Sequence, residues 1–365
     1  MSGIALLGMM GMLVLPLLAV VALLVYATIS GSERTGLHRG ALLARWIGAV
    51  AAVVLTIAIV ALSLQGTWPS GRLGLGALTG TSLLIGVTVL VLAILLGELT
   101  LPARSASQRY GLLAPRDSRA LVSRPALMNA AVSAIALIAY ALFTTAVASP
   151  DDQGRPGRSL AHTGVDGFTS GAYGPFPGQW YTVPVLVALG VLALTGIGAL
   201  VIVVRRRPSA DPHDLLLRRR SVTSLLGAIA VGTGLTAQVL AMHGLLGFLR
   251  VAQPEYQEMV LGVAGTVISV AVAIVGLLTA VLGAVMVCVP AAIARRIPDS
   301  ANRARTGKPG SRGPAAGTST PDLPSRALGA PSDGAEAERP MERLSGPHGQ
   351  GSSLAGRAAP VREGR

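Results

Sequence analysis

The sequence predicts an all-α membrane protein, a polytopic bundle of about seven transmembrane helices. Hydrophobic residues make up 51% of the chain and charged residues only 13%, and the mean hydropathy is +0.61. A soluble chain of this length would carry more charge on its surface. The strands of a membrane barrel would alternate in polarity, whereas the uncharged stretches here are apolar on every face for about twenty residues.

Seven segments are long enough to cross a bilayer, whose hydrocarbon core of about 30 Å requires roughly 20 helical residues. They are 4–29, 46–65, 73–97, 125–148, 181–204, 221–249 and 259–294. The first has no positive residue before it and is longer than the apolar core of a secretory signal, so we interpret it as a helix. A cleaved signal peptide is the alternative and would leave six spans. In the last segment, Pro290 predicts the end of the helix.

The arginines predict the orientation, because short basic loops stay on the cytoplasmic side. The first, third and fifth connections contain 14 arginines, and the other three contain only Arg72, Arg155, Arg158 and Arg250. This asymmetry places the N-terminus outside and the C-terminus inside. The net charge of +13 follows from this topology and does not indicate nucleic-acid binding. The inner arginine loops are expected to attract anionic lipid headgroups.

The chain divides into a transmembrane domain, 1–294, and a basic cytoplasmic tail, 295–365. The tail is rich in Gly, Pro, Ala, Ser and Arg and poor in large apolar residues. We expect it to be disordered, because it cannot bury enough surface to offset the entropy of the chain. A docking arm for a partner or a lipid surface is the functional alternative.

Polar residues within the spans are the usual indicators of function, because each is costly in lipid unless it is paired or hydrated. The candidates are Glu98, Gln238 and His243. Glu98 lies at the negative end of its helix dipole, so we expect an ion pair with Arg104 or with an arginine of the next inner connection. His243 either carries protons or makes an interhelical hydrogen bond. Gln238 is turned about 140° from His243 on the helix, so the two do not form an obvious joint site.

The outer connection, 149–180, contains Asp151, Asp152, His162 and Asp166. These residue types are able to bind a cation, but their spacing matches no known loop, which favours a structured turn. Cys288 is the only cysteine, so an internal disulfide is impossible. The sequence contains no hydrolase, P-loop or metalloprotease motif. It therefore predicts no catalytic, cofactor-binding or metal-binding residue.

Four stretches carry a resemblance to a known group of proteins. They are GELTLPARSASQR at 97–109, SPDDQGRPGRS at 149–159, GPFPGQWYTVPV at 174–185 and RRRPSADPHDLLLRRRSV at 205–222. The third to sixth spans thereby resemble a group of uncharacterised integral membrane proteins of high-GC actinobacteria. The resemblance implies a multi-helix fold in a bacterial plasma membrane, and it implies no catalytic or binding residue. The use of 29 arginines against one lysine agrees with a GC-rich coding sequence.

Three functions remain open for this multi-pass plasma-membrane protein. The first, which the sequence favours slightly over the second, is a transporter or transport-associated subunit, which needs a hydrated path lined by polar groups such as Gln238 and His243. The second is a non-catalytic membrane scaffold or regulatory partner that binds another membrane protein or forms a homo-oligomer through small-residue faces. The third and least favoured is an integral membrane enzyme, which needs convergent acids, bases or metal ligands.

Overall fold

The computed structural model describes residues 39–65, 77–100, 121–206 and 214–290. These ranges contain six helices and one two-stranded hairpin. The helices are α1 (Arg39–Gln65), α2 (Ala77–Leu99), α3 (Arg124–Val147), α4 (Gln179–Arg205), α5 (Asp214–Val251) and α6 (Met259–Cys288). All six are long and apolar enough to cross a membrane. The chain is therefore a membrane helix bundle, as the sequence predicts.

The six helices correspond to the second to seventh predicted spans. The predicted first span, 4–29, and the predicted tail, 295–365, lie outside the described residues. Helices α1 and α5 begin at Arg39 and Asp214, each seven residues before its predicted span, because basic residues extend these helices beyond the apolar segment. Helix α6 ends at Cys288, and Val289, immediately before Pro290, has left the helical region, as expected for a residue that precedes proline.

Helix α5 is the centre of the bundle. It packs most extensively against α6 and also against α2, α3 and α4. In an apolar stretch of 18 residues within α5, 83% of the residues are buried in the described bundle. Helix α1 lies at the periphery, where it packs on α2. Only 17% of the residues in its corresponding 18-residue apolar stretch are buried. An apolar helix of this kind is stable on the outside because its exposed face contacts lipid chains instead of water.

The contact between α5 and α6 depends on glycines that face each other at seven-residue intervals. Gly227 lies opposite Gly283, and Gly234 lies opposite Gly276. A Cβ atom at Gly276 would lie 2.5 Å from the carbonyl oxygen of Gly234, and a Cβ atom at Gly234 would lie 2.6 Å from the carbonyl oxygen of Gly276. Small residues allow such close backbone approach, which maximises van der Waals contact in a membrane.

A β-hairpin covers one end of the bundle. Strands β1 (Leu160–Thr163) and β2 (Ser170–Tyr173) pair antiparallel, with Leu160 opposite Tyr173 and Thr163 opposite Ser170. Buried Leu160 packs with Phe176 and Phe248 beneath the hairpin. This hairpin was not predicted from the sequence, because each strand has only four residues and shows no clear alternation of polarity.

We predict that Gly276→Ala lowers the free energy of unfolding by about 1–3 kcal/mol, because the new methyl group overpacks the α5–α6 contact. Gly198→Ala is the matched control, since a Cβ atom at Gly198 in α4 meets nothing within 4 Å. The control is expected to leave stability unchanged or to raise it slightly. Thermal unfolding of the two purified variants in detergent measures the difference. Equal midpoints would contradict the assigned contact.

Candidate functional site

Glu98 lies at the centre of a charged cluster built from four helices. Its carboxylate is near the end of α2, and the residue is only 2% exposed. Glu98 Oε2 lies 3.2 Å from Arg206 Nη1 at the end of α4, and Glu98 Oε1 lies 3.7 Å from Arg45 Nη2 near the start of α1. The hydroxyl of Ser221 in α5 donates a hydrogen bond to Glu98 Oε1. We call the end of the bundle where these residues meet the arginine end.

A second acid, Asp214, extends this cluster. Its two carboxylate oxygens accept hydrogen bonds from Arg206 Nη2 and Arg218 Nε, both at 2.8 Å. Arg218 also donates to the backbone carbonyl oxygens of Val204 at 3.2 Å and Arg206 at 2.9 Å. Val204 lies in the last turn of α4 and Arg206 is its C-cap residue, and a cation at this end is favoured by the helix dipole. Arg206 therefore joins both acids, and Arg218 joins the end of α4 to the start of α5.

The ion pair predicted for Glu98 is present, with Arg206 of the next basic connection as one partner. The other predicted partner, Arg104, lies outside the described residues. Sequence reasoning missed Arg45 and Ser221, because their proximity to Glu98 is set by the packing of α1, α2 and α5. The only available signal was their position at the same predicted membrane boundary. Two guanidinium groups beside one carboxylate offset the unfavourable dipole at the end of α2.

The structure does not bring Gln238 and His243 into one site with Glu98. His243 Nδ1 lies 2.8 Å from the carbonyl oxygen of Val239 in its own helix, so the tautomer that carries a proton on Nδ1 donates there. Gln238 is buried on the face of α5 that meets α6, where its backbone nitrogen lies close to Gly276. The hydrogen bonds of the described residues contain none from the Gln238 side chain.

Polar side chains of α3 pair with α5 and α6 inside the bundle. Three buried contacts share this arrangement, namely Asn129 Nδ2 to the Thr279 carbonyl oxygen at 3.0 Å, Ser133 Oγ with Thr233 Oγ1 at 2.7 Å, and the Tyr140 hydroxyl with Ser269 Oγ at 2.8 Å. The α3 residues share one helix face because they are separated by four and seven positions. Each such bond contributes on the order of 0.6 kcal/mol in a membrane protein. These polar groups therefore hold helices together and are not available to a solute.

An apolar groove of about 380 Å³ opens between α2 and α4. Leu78, Ile85 and Val187 are among the residues that line it. Its two threonines, Thr81 and Thr88, donate their hydroxyl protons to carbonyl oxygens of their own helix. The groove therefore offers an apolar surface without polar groups that would orient a charged substrate.

Asp151 and Asp166 of the outer connection are engaged in separate local structures, and Asp152 is exposed. Asp151 accepts hydrogen bonds from Arg155 and Arg158, and Asp166 accepts them from the backbone and hydroxyl of Thr169. The His162 ring stacks on Tyr173, with ring centroids 4.5 Å apart. Within residues 39–65, 77–100, 121–206 and 214–290, no group of three or more His, Cys, Asp or Glu side chains is placed to hold a metal ion.

Hydrogen bonding lowers the pKa of Asp151. Burial is the largest single influence and raises the pKa, but hydrogen bonds from the Arg155 backbone and side chain, from Arg158 and from the Gln153 backbone together outweigh it. The pKa falls from an ordinary value of 3.8 to about 2. The ionised carboxylate therefore stabilises the turn that begins the outer connection.

The geometry thus shows a charged structural cluster at one end of the bundle and three polar pairs between α3 and its neighbours in the middle. Among the described residues, the Gln238 side chain and the buried hydroxyls of Thr223 and Ser224 have no hydrogen-bond partner. No protein-family model, curated protein or solved structure matches this chain.

We predict that Glu98→Gln inserts normally but lowers the free energy of unfolding by about 3 kcal/mol, because Arg45 and Arg206 lose the charge that compensates them. Glu255→Gln is the matched control, since Glu255 is exposed in the α5–α6 connection. Chemical unfolding of the purified variants measures the effect. Equal stabilities would show that the cluster does not hold the helices together.

We predict that ionised Asp151 stabilises the folded protein at neutral pH and that this stabilisation is lost in strong acid. Its folded pKa of about 2 lies below the ordinary 3.8, so its contribution is complete above the ordinary value and is lost as the pH falls through the folded value. Asp151→Asn is therefore expected to lower the unfolding temperature at neutral pH, and this difference from the wild type is expected to shrink between pH 3.8 and pH 2 and to vanish below that range. A difference that persists unchanged at pH 2 would contradict the assignment.

Proposed function

We propose that the protein is a non-catalytic membrane scaffold or regulatory partner. The observation that carries this proposal is the internal pairing of the polar groups of α3 with α5 and α6. A transport path requires polar groups that face a hydrated space. Side chains already bonded across helix contacts serve packing instead.

The construction of the bundle supports the same function. The glycine contacts join α5 closely to α6, and the ion pairs of Glu98 and Asp214 tie α1, α2, α4 and α5 together at the arginine end. The hairpin and the α5–α6 connection cover the other end. The helices of this bundle are tied together at both ends and packed closely along its centre. Its outer faces therefore keep a fixed arrangement, which is the property that a scaffold requires.

A transporter or transport-associated subunit is the second candidate, and one observation favours it. The buried Gln238 side chain makes no hydrogen bond to another described residue, and an unbonded amide in a transmembrane helix is a suitable contact for a polar solute. An integral membrane enzyme ranks last. Glu98, His243, Asp151 and Asp166 lie in separate local structures, whereas catalysis needs convergent groups.

We place the protein in the plasma membrane of a bacterium, with its arginine end on the cytoplasmic side. Support comes from the arginine asymmetry of the connections and from the resemblance to actinobacterial membrane proteins. Anionic lipid headgroups are the expected partners of the inner arginine loops, at about 1 kcal/mol for each arginine close to the surface. A second membrane protein or a second copy of this chain is the expected protein partner.

The proposal is tested by photo-crosslinking in intact membranes. A photoreactive amino acid is placed at one lipid-facing residue on each of three helices, Val54 of α1, Val187 of α4 and Val267 of α6, all of which are exposed in the monomer. A scaffold is expected to give a discrete protein adduct from one face and lipid adducts from the others. Lipid adducts from all three faces would overturn the proposal.

We predict that His243→Ala inserts and accumulates as the wild type does, because the hydrogen bond of His243 lies within its own helix. In reconstituted vesicles containing a pH-sensitive dye, the variant and the wild type are expected to show equal proton flux. A flux that the wild type supports and His243→Ala abolishes at normal abundance would favour the transport candidate. Gln238→Leu is the companion variant in the same assay.

A further inference from the structure

The tip of the hairpin presents two apolar side chains that the bundle leaves uncovered. Phe168 is 94% exposed and Val165 is 66% exposed. Both lie in the six-residue loop that joins β1 to β2, whereas Leu160 and Phe176 beside the strands are buried. The exposed pair is therefore a feature of the tip alone.

The loop that carries this pair is internally hydrogen-bonded. Asp166 Oδ1 accepts hydrogen bonds from the backbone nitrogens of Phe168 and Thr169, both at 3.1 Å, and Asp166 Oδ2 accepts one from Thr169 Oγ1 at 2.8 Å. Gly164 N donates to the Thr169 carbonyl oxygen at 2.6 Å, and Gly167 N donates to the Gly164 carbonyl oxygen at 2.9 Å. Because these polar groups are already bonded, moving the tip out of water costs less than it would for an open loop.

Hydrogen bonds also fix the position of the hairpin beside the outer end of α6. Val165 N donates to the Glu255 carbonyl oxygen at 2.9 Å, and Gln257 N donates to the Thr163 carbonyl oxygen at 2.9 Å. Thr163 N donates to Glu258 Oε2 at 2.9 Å. Glu258 immediately precedes α6, so the base of the tip lies at the point where this helix enters the membrane.

The exposed apolar surface of α6 begins at the same place. Val260 is 75% exposed, and Val263, Val267 and Ile274 continue the exposed face along the helix. In a membrane helix such a face contacts lipid. The tip therefore lies next to the outer end of the exposed face of α6, and that face already contacts acyl chains.

We propose that Val165 and Phe168 insert into the lipid interface beside α6 and anchor the hairpin to the bilayer surface. The partner is the boundary between headgroups and acyl chains, where apolar and aromatic side chains of interfacial segments bury. The anchor holds the hairpin and the α5–α6 connection at the membrane surface. This inference is independent of the proposed function, because either a scaffold or a transporter can carry it.

The test places a fluorophore at the tip of the full-length protein. Cys288, the only native cysteine, is first replaced by alanine, and single cysteines are then introduced as Phe168→Cys, Val165→Cys and Gln153→Cys. Val165→Cys retains the phenylalanine, and Gln153 supplies an exposed control position in the same outer connection. Each variant is labelled with a nitrobenzoxadiazole probe and reconstituted into phosphatidylcholine and phosphatidylglycerol vesicles.

Two quenchers distinguish the environments. Lipids that carry a nitroxide near the headgroup end of the acyl chain are expected to quench the probes at 165 and 168 severalfold more than the probe at 153. Aqueous iodide is expected to quench in the opposite order. Equal iodide quenching at 153, 165 and 168 would overturn the proposal. Shielding of 165 and 168 from both quenchers would also overturn it, because a second copy of the chain would then cover the tip.

Discussion

The centre of the bundle is organised around the close antiparallel contact between α5 and α6. Lipid supplies no hydrophobic force between helices, so association requires close packing and satisfied polar groups. Gly227 and Gly234 of α5 allow the backbone of α6 to approach. That approach creates the surface on which α3 packs, and it brings Asn129 and Tyr140 within hydrogen-bonding distance of α6. The hydrogen bonds from α3 to α6 thus depend on the glycine contact.

The charged cluster at the arginine end reduces the repulsion between neighbouring arginines. Arginines at the ends of membrane helices lie near the membrane boundary, where several guanidinium groups on neighbouring helices repel one another. Glu98 and Asp214 reduce this repulsion by binding Arg45, Arg206 and Arg218. The two acids therefore stabilise the end of the bundle where the arginines meet. A buried charged group at such a boundary is weak evidence of catalysis, because its neighbours already account for it.

The sequence was most informative where a feature is local. The six described spans were located by hydropathy, and the end of α6 was placed close to Pro290 by the geometry of proline. The boundaries at Arg39 and Asp214 were missed because helical backbone continues past the apolar core. Among the candidate residues, the need of Glu98 for a cation was predictable from the helix dipole. The identity of Arg45 was not, since nothing near Glu98 in the chain encodes which helix becomes its neighbour.

Length, polarity and the cost of moving arginine across lipid are properties of individual segments, so hydropathy and arginine placement were enough to predict a membrane helix bundle with basic connections on one side. The central place of α5 and the peripheral place of α1 depend on packing, since all of the spans are apolar on every face. The packing also decides that Asn129, Ser133 and Tyr140 bond within the bundle, that Asp151 and Asp166 are engaged in separate turns, and that Phe168 is left exposed at the tip of the hairpin. Each of these depends on which surfaces meet, a property that no single segment contains.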